Sequence, residues 1–444
     1  MMRPERSPWE GSSMRRDPRW RAGVLAALSV SAFADEIVTR HGATPDDDSP
    51  DTAAIQSAID AAGKAGGGAV RIPKGRYVSG GLVLKDNLRL VFEKGAVLQG
   101  SADCNDYGGK ARWDDALIKG ENLQGIRIEG PGTIDGADCV NPKGEEGFRG
   151  PHGILLTGCR DIVIRDVAIE RTGNYAVLCR NCAGAEIRNV AFRGGHDGVH
   201  AQACSKFAIR DCDFQTGDDC LAGCDNAGFE VSGCRINSSC NGFRLGCLDL
   251  LVKDCRFWGP GEYVHRVSRQ KGGPGRTNML SAFVHFAPKD RNPRLPSDRW
   301  VVRDCTVDNV DFLYGYDFEK GLWQTGQPAK RLRFQNVKAT RVAHPLRVRG
   351  DADRQFELTL EDVMIALRED RADQEVLSLA RFGALVLKNV TLQNSGAKPV
   401  LRAKEGRTVW LDRVTPIPPN PAPYAIEQVD ETKTARIPDG PTPR

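Results

Sequence analysis

A six-residue phrase that recurs nine times constrains the fold of this chain more than any other feature. Its form is that of Ile164-Arg-Asp-Val-Ala-Ile169, and the copies start at Ile164, Ile187, Ile209, Val231, Val252, Val302, Phe334, Leu360 and Leu387. The first five copies are 23, 22, 22 and 21 residues apart. A fixed spacing of this size is typical of stacked supersecondary units, each of which buries one face on the next. The sequence therefore predicts a solenoid.

The repeating unit has the pattern of short strands. Apolar and polar residues alternate within the phrase, Gly or Asn separates successive phrases, and no ten-residue helical pattern fits inside one repeat. We therefore predict an all-β fold, a parallel β-helix with one repeat per coil. The exposed first coil needs a cover, because an open sheet edge invites strand addition. Asp51–Ala62 predicts a capping helix that begins after Asp51, with one apolar stripe formed by Ala54, Ile55, Ala58, Ile59 and Ala62.

Composition divides the chain into three segments. In residues 1–34, Arg15, Arg16, Arg19 and Arg21 precede an apolar run that ends in Ala-Phe-Ala, which predicts an export signal; a disordered leader on a cytosolic protein is the alternative. Residues 35–414 form the β-helix, predicted to be one catalytic domain. Residues 415–444 are rich in proline, which lacks the backbone N–H of a sheet, so we predict a tail outside the β-helix.

Charge and hydropathy exclude two classes of partner. The net charge is +4, and residues 1–34 carry +3 of it, so the rest has no basic surplus for binding nucleic acid. No apolar run approaches the length of a membrane span. We therefore expect no nucleic acid and no membrane among the partners. A capped solenoid also favours a monomer.

The chain has 14 cysteines, and several occupy one position of the repeat. Cys212, Cys234, Cys255 and Cys305 stand where other copies have Val167, Val190, Val337, Val363 and Val390. Interchange with valine predicts a buried ladder in which Cys serves as a small hydrophobic residue. One or two disulfides between coils stay open, whereas residues on an inward ladder could not converge on zinc.

Three carboxylates fall on neighbouring repeats. Asp197 precedes Asp218 by 21 residues, about one repeat, and Asp219 follows directly. We expect Asp197 and Asp218 to stack, and like charges this close should raise at least one pKa. A protonated carboxyl beside an ionised one suits hydrolysis of a glycosidic bond. The alternatives are turn residues or a calcium ligand pair.

These residues carry a resemblance to a known family. The segment Asp51–Gly100, with Gly66–Tyr77 and Phe92–Leu98, resembles the first coils of glycoside hydrolase family 28, the polygalacturonases. The family's Asn-Thr-Asp motif is matched in its Asp at Asp197, and its Gly-Asp-Asp motif is matched fully at Gly217-Asp218-Asp219. The resemblance covers roughly residues 45 to 400. It implies a right-handed parallel β-helix.

The resemblance also implies a mechanism without metal or cofactor. Asp218 would be the general acid, and Asp197 and Asp219 would activate the attacking water. The family inverts the anomeric carbon, for which carboxyl groups about 6.5 to 9.5 Å apart leave room for that water.

Two family motifs are missing. The Gly-His-Gly motif falls at Cys240-Asn241-Gly242, and the Arg-Ile-Lys motif has no match, since that coil reads Leu280–Phe286. Strand alternation predicts that Arg244 and His200 point outward beside the carboxylates. Arg244 would bind a substrate carboxylate or sugar diol, or else form an ion pair with an Asp. Further candidates for the cleft are His265 and Arg266. The aromatic residues Trp258, Tyr263 and Trp323 would stack on sugar faces or else pack within their loops. The predicted substrate-binding residues are His196, His200, Asn241, Arg244 and His285.

The leading functional hypothesis is an exported glycoside hydrolase that acts on a plant-type, pectic polysaccharide or oligosaccharide. Two alternatives stay open. One is a calcium-dependent polysaccharide lyase, and the other is a carbohydrate-binding β-helix without catalysis.

Overall fold

The structure, a computed structural model, describes residues 34–108, 113–270 and 272–434, and the predicted export signal lies outside this part except for Ala34. Strands dominate it, and up to residue 216 they are short. They are β1 Ala34–Ile37, β2 Gly68–Ile72, β3 Gly75–Ser79, β4 Leu82–Val83, β5 Leu88–Phe92, β6 Ala96–Gly100, β7 Ala116–Glu121, β8 Gln124–Glu129, β9 Thr133–Asp135, β10 His152–Thr157, β11 Arg160–Arg165, β12 Ala168–Glu170, β13 Val177–Arg180, β14 Ala183–Arg188, β15 Ala191–Gly194, β16 Val199–Gln202, β17 Ser205–Arg210 and β18 Asp213–Thr216.

Beyond residue 220, many strands run continuously around a corner from one sheet to the next. They are β19 Leu221–Ser232, β20 Arg235–Ser238, β21 Asn241–Lys253, β22 Arg256–Trp258, β23 Ser281–His285, β24 Asp298–Asp308, β25 Phe312–Asp317, β26 Arg331–Val342, β27 Leu346–Arg349, β28 Glu357–Leu367, β29 Leu377–Ala380, β30 Ala384–Gln393, β31 Leu401–Lys404, β32 Thr408–Ile417, β33 Tyr424–Glu427 and β34 Glu431–Thr434. The α-helices are α1 Thr52–Lys64 and α2 Arg266–Gln270, and five 3₁₀ turns are Val38–His41, Cys104–Tyr107, Glu145–Gly147, Lys289–Arg291 and Glu369–Arg371.

Every pairing between these strands is parallel, and the strands form three sheets that run along the coils. The predicted repeat sets the register, because the first residues of the nine phrases are direct partners from coil to coil, from Ile164 with Ile187 to Leu360 with Leu387. All nine are buried. Val252 pairs with Val302, so the residues between them form one coil with insertions. The predicted parallel β-helix is confirmed.

The third residue of each phrase turns the chain around a corner. It is Asp, Asn or Gly in all nine copies, and its φ is positive each time, between 50° at Asn336 and 64° at Gly233. These residue types tolerate the left-handed conformation better than others do. Neighbouring corners also join through side chains, as where Asn189 donates to Asp166 at 2.8 Å. The recurrence of the phrase therefore has a backbone cause as well as a packing cause.

The cysteine ladder lies in the core. Cys212, Cys234, Cys255 and Cys305 are each at most 3% exposed. They belong to one continuous apolar cluster that runs through the coils and includes the stacked rings of Phe192 and Phe214. All fourteen cysteines fall in the described part of the chain, and each is a free thiol. The cysteines therefore serve mainly as core residues, and none of the possible disulfides is formed.

Helix α1 covers the N-terminal end of the core, as predicted. Ile55, Ala58, Ile59 and Ala62 are fully buried, and the helix contacts β1, β2, β4 and β5. The cap differs from the prediction. Asp51 stands at the N-cap position, but its carboxylate accepts a hydrogen bond from the backbone N–H of Thr44, at 2.8 Å, and not from the helix.

The predicted proline-rich tail is in part a continuation of the β-helix. Strand β32 runs to Ile417, and β33 and β34 pair in parallel with β31 and β32. Pro416 is tolerated because, among the described residues, its part of β32 pairs on one side only, with β30, while β34 pairs with Thr408–Leu411. Within the described residues the strands therefore continue to Thr434 and do not stop at residue 414. No helix in the described ranges has both the length and the apolar composition to cross a membrane.

Candidate active site

The carboxylates lie where the chain enters one sheet, formed here by β13, β16, β19, β21 and β23. Backbone hydrogen bonds join Gly198 to Asp219 and Cys220 to Asn241, so Asp197, Asp219 and Asn241 occupy the same position on three successive coils. The partner of Asp197 in register is therefore Asp219, one residue beyond the Asp218 that the spacing predicts. Asp218 comes one residue before this position on its coil, and its side chain is the most exposed of the three aspartates.

The three carboxyl groups converge, but their exposure differs. One oxygen from each lies within 4.8 Å of the others. Asp218 is 8% exposed, Asp197 is 1% exposed and Asp219 is fully buried. The oxygens are closer than the 6.5 to 9.5 Å expected from the resemblance, yet one water could still hydrogen bond to two oxygens at this distance.

Two side chains from loops, those of Arg149 and His265, hold the carboxylate of Asp218 in place. Its Oδ2 accepts from Nη2 of Arg149 at 3.3 Å and lies 3.5 Å from Nε2 of His265. The backbone N–H of Ser268 donates to Nδ1 of His265 at 3.1 Å, so the ring proton of a neutral His265 lies on Nε2 and faces Asp218. Burial raises the pKa of Asp218, but His265 and Arg149 outweigh it and hold this pKa well below its usual range.

The pKa values of Asp197 and Asp219 are instead raised. Burial and the charge of Asp218 raise the pKa of Asp197 to about 7, and burial raises the pKa of Asp219 to about 6 against the opposing charge of Arg244. Asp219 accepts from Nδ2 of Asn241 at 2.8 Å and from Nε of Arg244. Oδ2 of Asp197 contacts Nδ1 of His200 at 2.7 Å, whereas its Oδ1 is buried without a hydrogen-bond partner. Below about pH 6 the cluster therefore holds a proton at its buried end beside an ionised carboxylate at its exposed end, and near pH 7 that proton is only partly retained.

A cleft of about 660 Å³ lies over Asp218. Asp218 and Asn241 line it, but Asp197 and Asp219 do not. Arg244 points outward into it, as the strand alternation predicts, while Phe243 and Leu245 are in the core. The Arg244 guanidinium packs on the rings of Phe286 and Trp323, 4.2 and 5.2 Å from their centroids, and pairs with Asp219. Arg244 therefore both lines the cleft and forms an ion pair with an aspartate, which are the two placements that the sequence predicts.

The cleft is lined by four arginines and four acids, so its formal charge is balanced, but its arginines differ in how they are paired. Arg149 is paired with Glu146 and Asp218. Arg276 donates to the carbonyl of Ser239 and to Sγ of Cys240, and within the described ranges it has no carboxylate partner. Unneutralised guanidinium groups beside a cleft favour an anionic ligand, because Arg forms paired hydrogen bonds with a carboxylate.

The other predicted substrate-binding residues are placed less favourably. His196 is fully buried, with no hydrogen-bond partner for either ring nitrogen, and does not line the cleft. His200 is buried beneath Tyr175, with which it stacks at 4.5 Å. The ring nitrogens of His285 form hydrogen bonds with the hydroxyl of Ser297 and the carbonyl of Gln327. On this strand Val284 faces the cleft, and His285 faces the other side. The structure therefore does not bring His196 and His285 to the cleft.

Sequence reasoning missed two loop residues that line the cleft, Arg149 and Arg276. Arg149 follows the 3₁₀ turn Glu145–Gly147, and Arg276 lies in the insertion between β22 and β23. Neither belongs to a repeat, so the spacing carries no signal for them. His265, from the same insertion, supplies an imidazole to Asp218, although the family's histidine position holds Asn241. Its only sequence signal was a histidine in an inserted loop.

Two groups of side chains have the spacing of metal ligands, namely Asp218 with Cys240 and His265, and the three aspartates. In the first group the proton on Nε2 of His265 occupies the nitrogen that would bind the metal, and Arg276 donates to Cys240 at 2.9 Å. In the second group Arg149 and Arg244 already neutralise negative charge. Neither arrangement therefore suits a cation.

As the pH rises, the free energy of unfolding of the Asp197→Asn variant is expected to increase relative to that of the wild type. A folded-state pKa near 7, against 3.8 ordinarily, means that the folded protein keeps a proton that the unfolded chain releases above pH 4. Wild-type stability therefore falls between about pH 4 and pH 7, and Asn has no proton to lose. Urea unfolding should show the variant gaining about 2 kcal/mol relative to the wild type from pH 5 to pH 8.

The matched control is Asp249→Asn, which changes an exposed aspartate paired with Arg299. The pKa of Asp249 is lowered by that pairing, so this variant should show no gain between pH 5 and pH 8. Equal slopes for Asp197→Asn and the wild type would contradict the raised pKa.

Comparisons with known proteins agree with the fold. Residues 152–261 match the family described as "Right handed beta helix region". The chain is 26% identical over 245 residues to "Probable polygalacturonase" of Vitis vinifera, which covers 47% of this chain and 49% of that protein. The chain thus spans about half the length of this curated relative.

Solved structures extend the likeness over most of the chain. The hyperthermoactive exopolygalacturonase of Thermotoga maritima is 17% identical, with a TM-score of 0.62 over 81% of this chain and 91% of that one. The surface protein and adhesin PfbA of Streptococcus pneumoniae is 13% identical, with a TM-score of 0.53 over 90% and 99%. These matches show the fold, a right-handed parallel β-helix.

Proposed function

We propose that this chain is a glycoside hydrolase that cleaves a uronate-bearing, pectin-type polysaccharide with inversion. One observation carries the proposal. Three carboxyl groups converge within 4.8 Å, and of these only Asp218 lines the cleft. A cluster that divides its charge between an ionised and a protonated carboxyl contains the groups that hydrolysis of a glycosidic bond requires. The likeness to polygalacturonases supports the same reaction class.

Asp218 is the proposed acid, because it is the carboxyl group that a bound sugar can touch. In the free protein Arg149 and His265 keep it ionised. A uronate carboxylate that binds at Arg149 and Arg276 would bring negative charge next to Asp218 and draw Arg149 away. Both effects raise the pKa of Asp218. The proton held by Asp219 or Asp197 then moves to Asp218, which donates it to the leaving oxygen.

Asp197 and Asp219 are the proposed base. Once the shared proton has moved to Asp218, an ionised carboxylate of this pair can take the proton of the attacking water. Direct attack by either carboxylate on the sugar is disfavoured, since neither lines the cleft. The short distance between the oxygens alone would suggest retention, so the argument for inversion rests on this burial.

The experiment is reducing-end release from polygalacturonate, its methyl ester and a neutral glucan. We expect hydrolysis of polygalacturonate, and a product whose new reducing end has the inverted configuration by NMR during the first minutes. Release from the glucan but not from polygalacturonate would refute the charge argument. A retained configuration would refute the role of water between the carboxyl groups.

Carbohydrate binding without turnover is the second candidate, and one observation favours it. The low pKa of Asp218 leaves the exposed carboxylate ionised, which suits a binding site better than a general acid. Binding of polygalacturonate by a folded protein that releases no reducing ends would select this function. A product that absorbs as an unsaturated uronide and disappears with chelator would instead select the lyase. Export remains part of the proposal and rests on residues 1–34.

A further inference from the structure

A second depression continues the cleft toward the N-terminal coils. We call it the distal pocket; its volume is about 420 Å³. Tyr175 and Arg291 line both the cleft and the distal pocket. Trp113, Arg180 and Gln202 line only the distal pocket. A linear ligand that lies in the cleft over Asp218 can therefore extend past Tyr175 into a second concave surface without leaving the protein.

A strip of aromatic rings lies along the distal pocket, built from successive coils. Trp113 stacks near His152, with ring centroids 6.2 Å apart and planes inclined by 16°. The ring of His152 is 5.1 Å from that of Tyr175, and Tyr175 stacks face to face on His200, with centroids 4.5 Å apart and planes nearly parallel at 7°. Trp113 and Tyr175 both reach the pocket surface. Flat aromatic surfaces with polar groups beside them suit sugar rings, which have apolar faces and polar edges.

The charged side chains that line the pocket are two arginines. Arg180 is fixed by Asp114, at 3.2 Å, and by the carbonyl of Trp113, at 2.9 Å. Arg291 is exposed and packs on Phe286, 5.5 Å from the ring centroid. Among the described residues no carboxylate lies within ion-pair distance of Arg291. An arginine that is unpaired at the boundary of two pockets is placed to bind an anionic group of a ligand that occupies both.

We infer that the distal pocket is a second sugar-binding subsite, which takes a carboxylate-bearing residue of the same polysaccharide away from the cleaved bond. Trp113 stacks on the sugar ring, and Arg291 pairs with its carboxylate. This inference rests on the proposed function for the identity of the sugar. It adds a consequence for substrate choice: oligomers long enough to fill both pockets bind more tightly than those confined to the cleft.

The test measures binding of galacturonate oligomers, from disaccharide to hexasaccharide, by calorimetry on the Asp218→Asn variant. We expect the hexasaccharide to bind at least about tenfold more tightly than the disaccharide, which is the effect of one charge-assisted contact. Adding Arg291→Ala or Trp113→Ala should abolish most of this gain. Disaccharide affinity should change less than about twofold, since the shorter ligand does not need the distal pocket.

Lys289→Ala and Trp410→Ala are the matched controls. Lys289 is an exposed cation on the same 3₁₀ turn as Arg291 and lines neither pocket, and Trp410 is an exposed tryptophan on β32. Both should retain the gain with length. A gain that survives Arg291→Ala and Trp113→Ala, or an affinity that does not depend on length, would overturn the subsite while leaving the proposed function intact. Failure of every oligomer to bind would overturn both, and binding without hydrolysis by the wild type would overturn only the proposed function.

Discussion

Asp218→Asn is expected to lower kcat on polygalacturonate by about 10² to 10⁴-fold, the usual contribution of a general acid or base. Asn has nearly the same shape but cannot donate a proton to the leaving oxygen. KM should change little, since Asn still fills the position between Arg149 and His265. The measurement is initial-rate kinetics on the variant and the wild type, with circular dichroism to establish that both are folded.

The control for this variant is Asp225→Asn. Asp225 forms an ion pair with the largely exposed Arg294 and does not line the cleft. It should keep its rate within about twofold. A variant at Asp218 that turns over as fast as the control would remove the acid from the proposed mechanism and favour binding without catalysis.

Arg244→Ala is expected to destabilise the fold by about 3 kcal/mol at neutral pH, since removing one partner of a buried ion pair leaves the other charge without compensation. Asp219 is fully buried, and Arg244 is also packed on Phe286 and Trp323. The loss should shrink at pH 5. Without Arg244 the pKa of Asp219 rises further above its unfolded value, so the folded state takes up a proton there as the pH falls.

Urea unfolding at pH 5 and pH 8 measures both effects. Arg235→Ala is the control, because Arg235 forms its ion pair with Asp213 at a mostly exposed position. It should cost less than about 1 kcal/mol at either pH. A destabilisation by Arg244→Ala that equals the control, or that is larger at pH 5 than at pH 8, would mean that Arg244 does not compensate Asp219.

The fold followed from the sequence because its register is local. Each phrase pairs with the phrase about one coil away, so the spacing from Ile164 to Leu387 contains the sheet topology. The buried cysteines followed for the same reason, because Cys and Val exchange at one position of the repeat. The continuation of the strands beyond residue 414 did not follow, because proline is excluded from strands paired on both sides, whereas in the described part of the chain the stretch of β32 that holds Pro416 pairs only with β30.

The site could be predicted from the sequence only in part. Its three aspartates were evident from the repeat, but a spacing of 21 residues could not distinguish Asp218 from Asp219 as the partner of Asp197, because the length of each coil varies by a residue. Arg149 and His265 were beyond reach by spacing, since their loops lie outside the repeat and only the folded chain brings them to Asp218. His285 was misleading because one residue of register decides which side of a strand faces the cleft.

The positions of these groups separate two kinds of change that the protein can tolerate. Asp197, Asp218 and Asp219 are fixed by the backbone ladder of three adjacent coils, whereas Arg149, His265, Arg276 and Arg291 come from insertions between strands. An insertion can be exchanged without shifting any register, because the strands on either side pair with their neighbours and not with the loop. A single scaffold of this kind could therefore acquire new ligand preferences through its loops, while the arrangement of its acids is inherited unchanged.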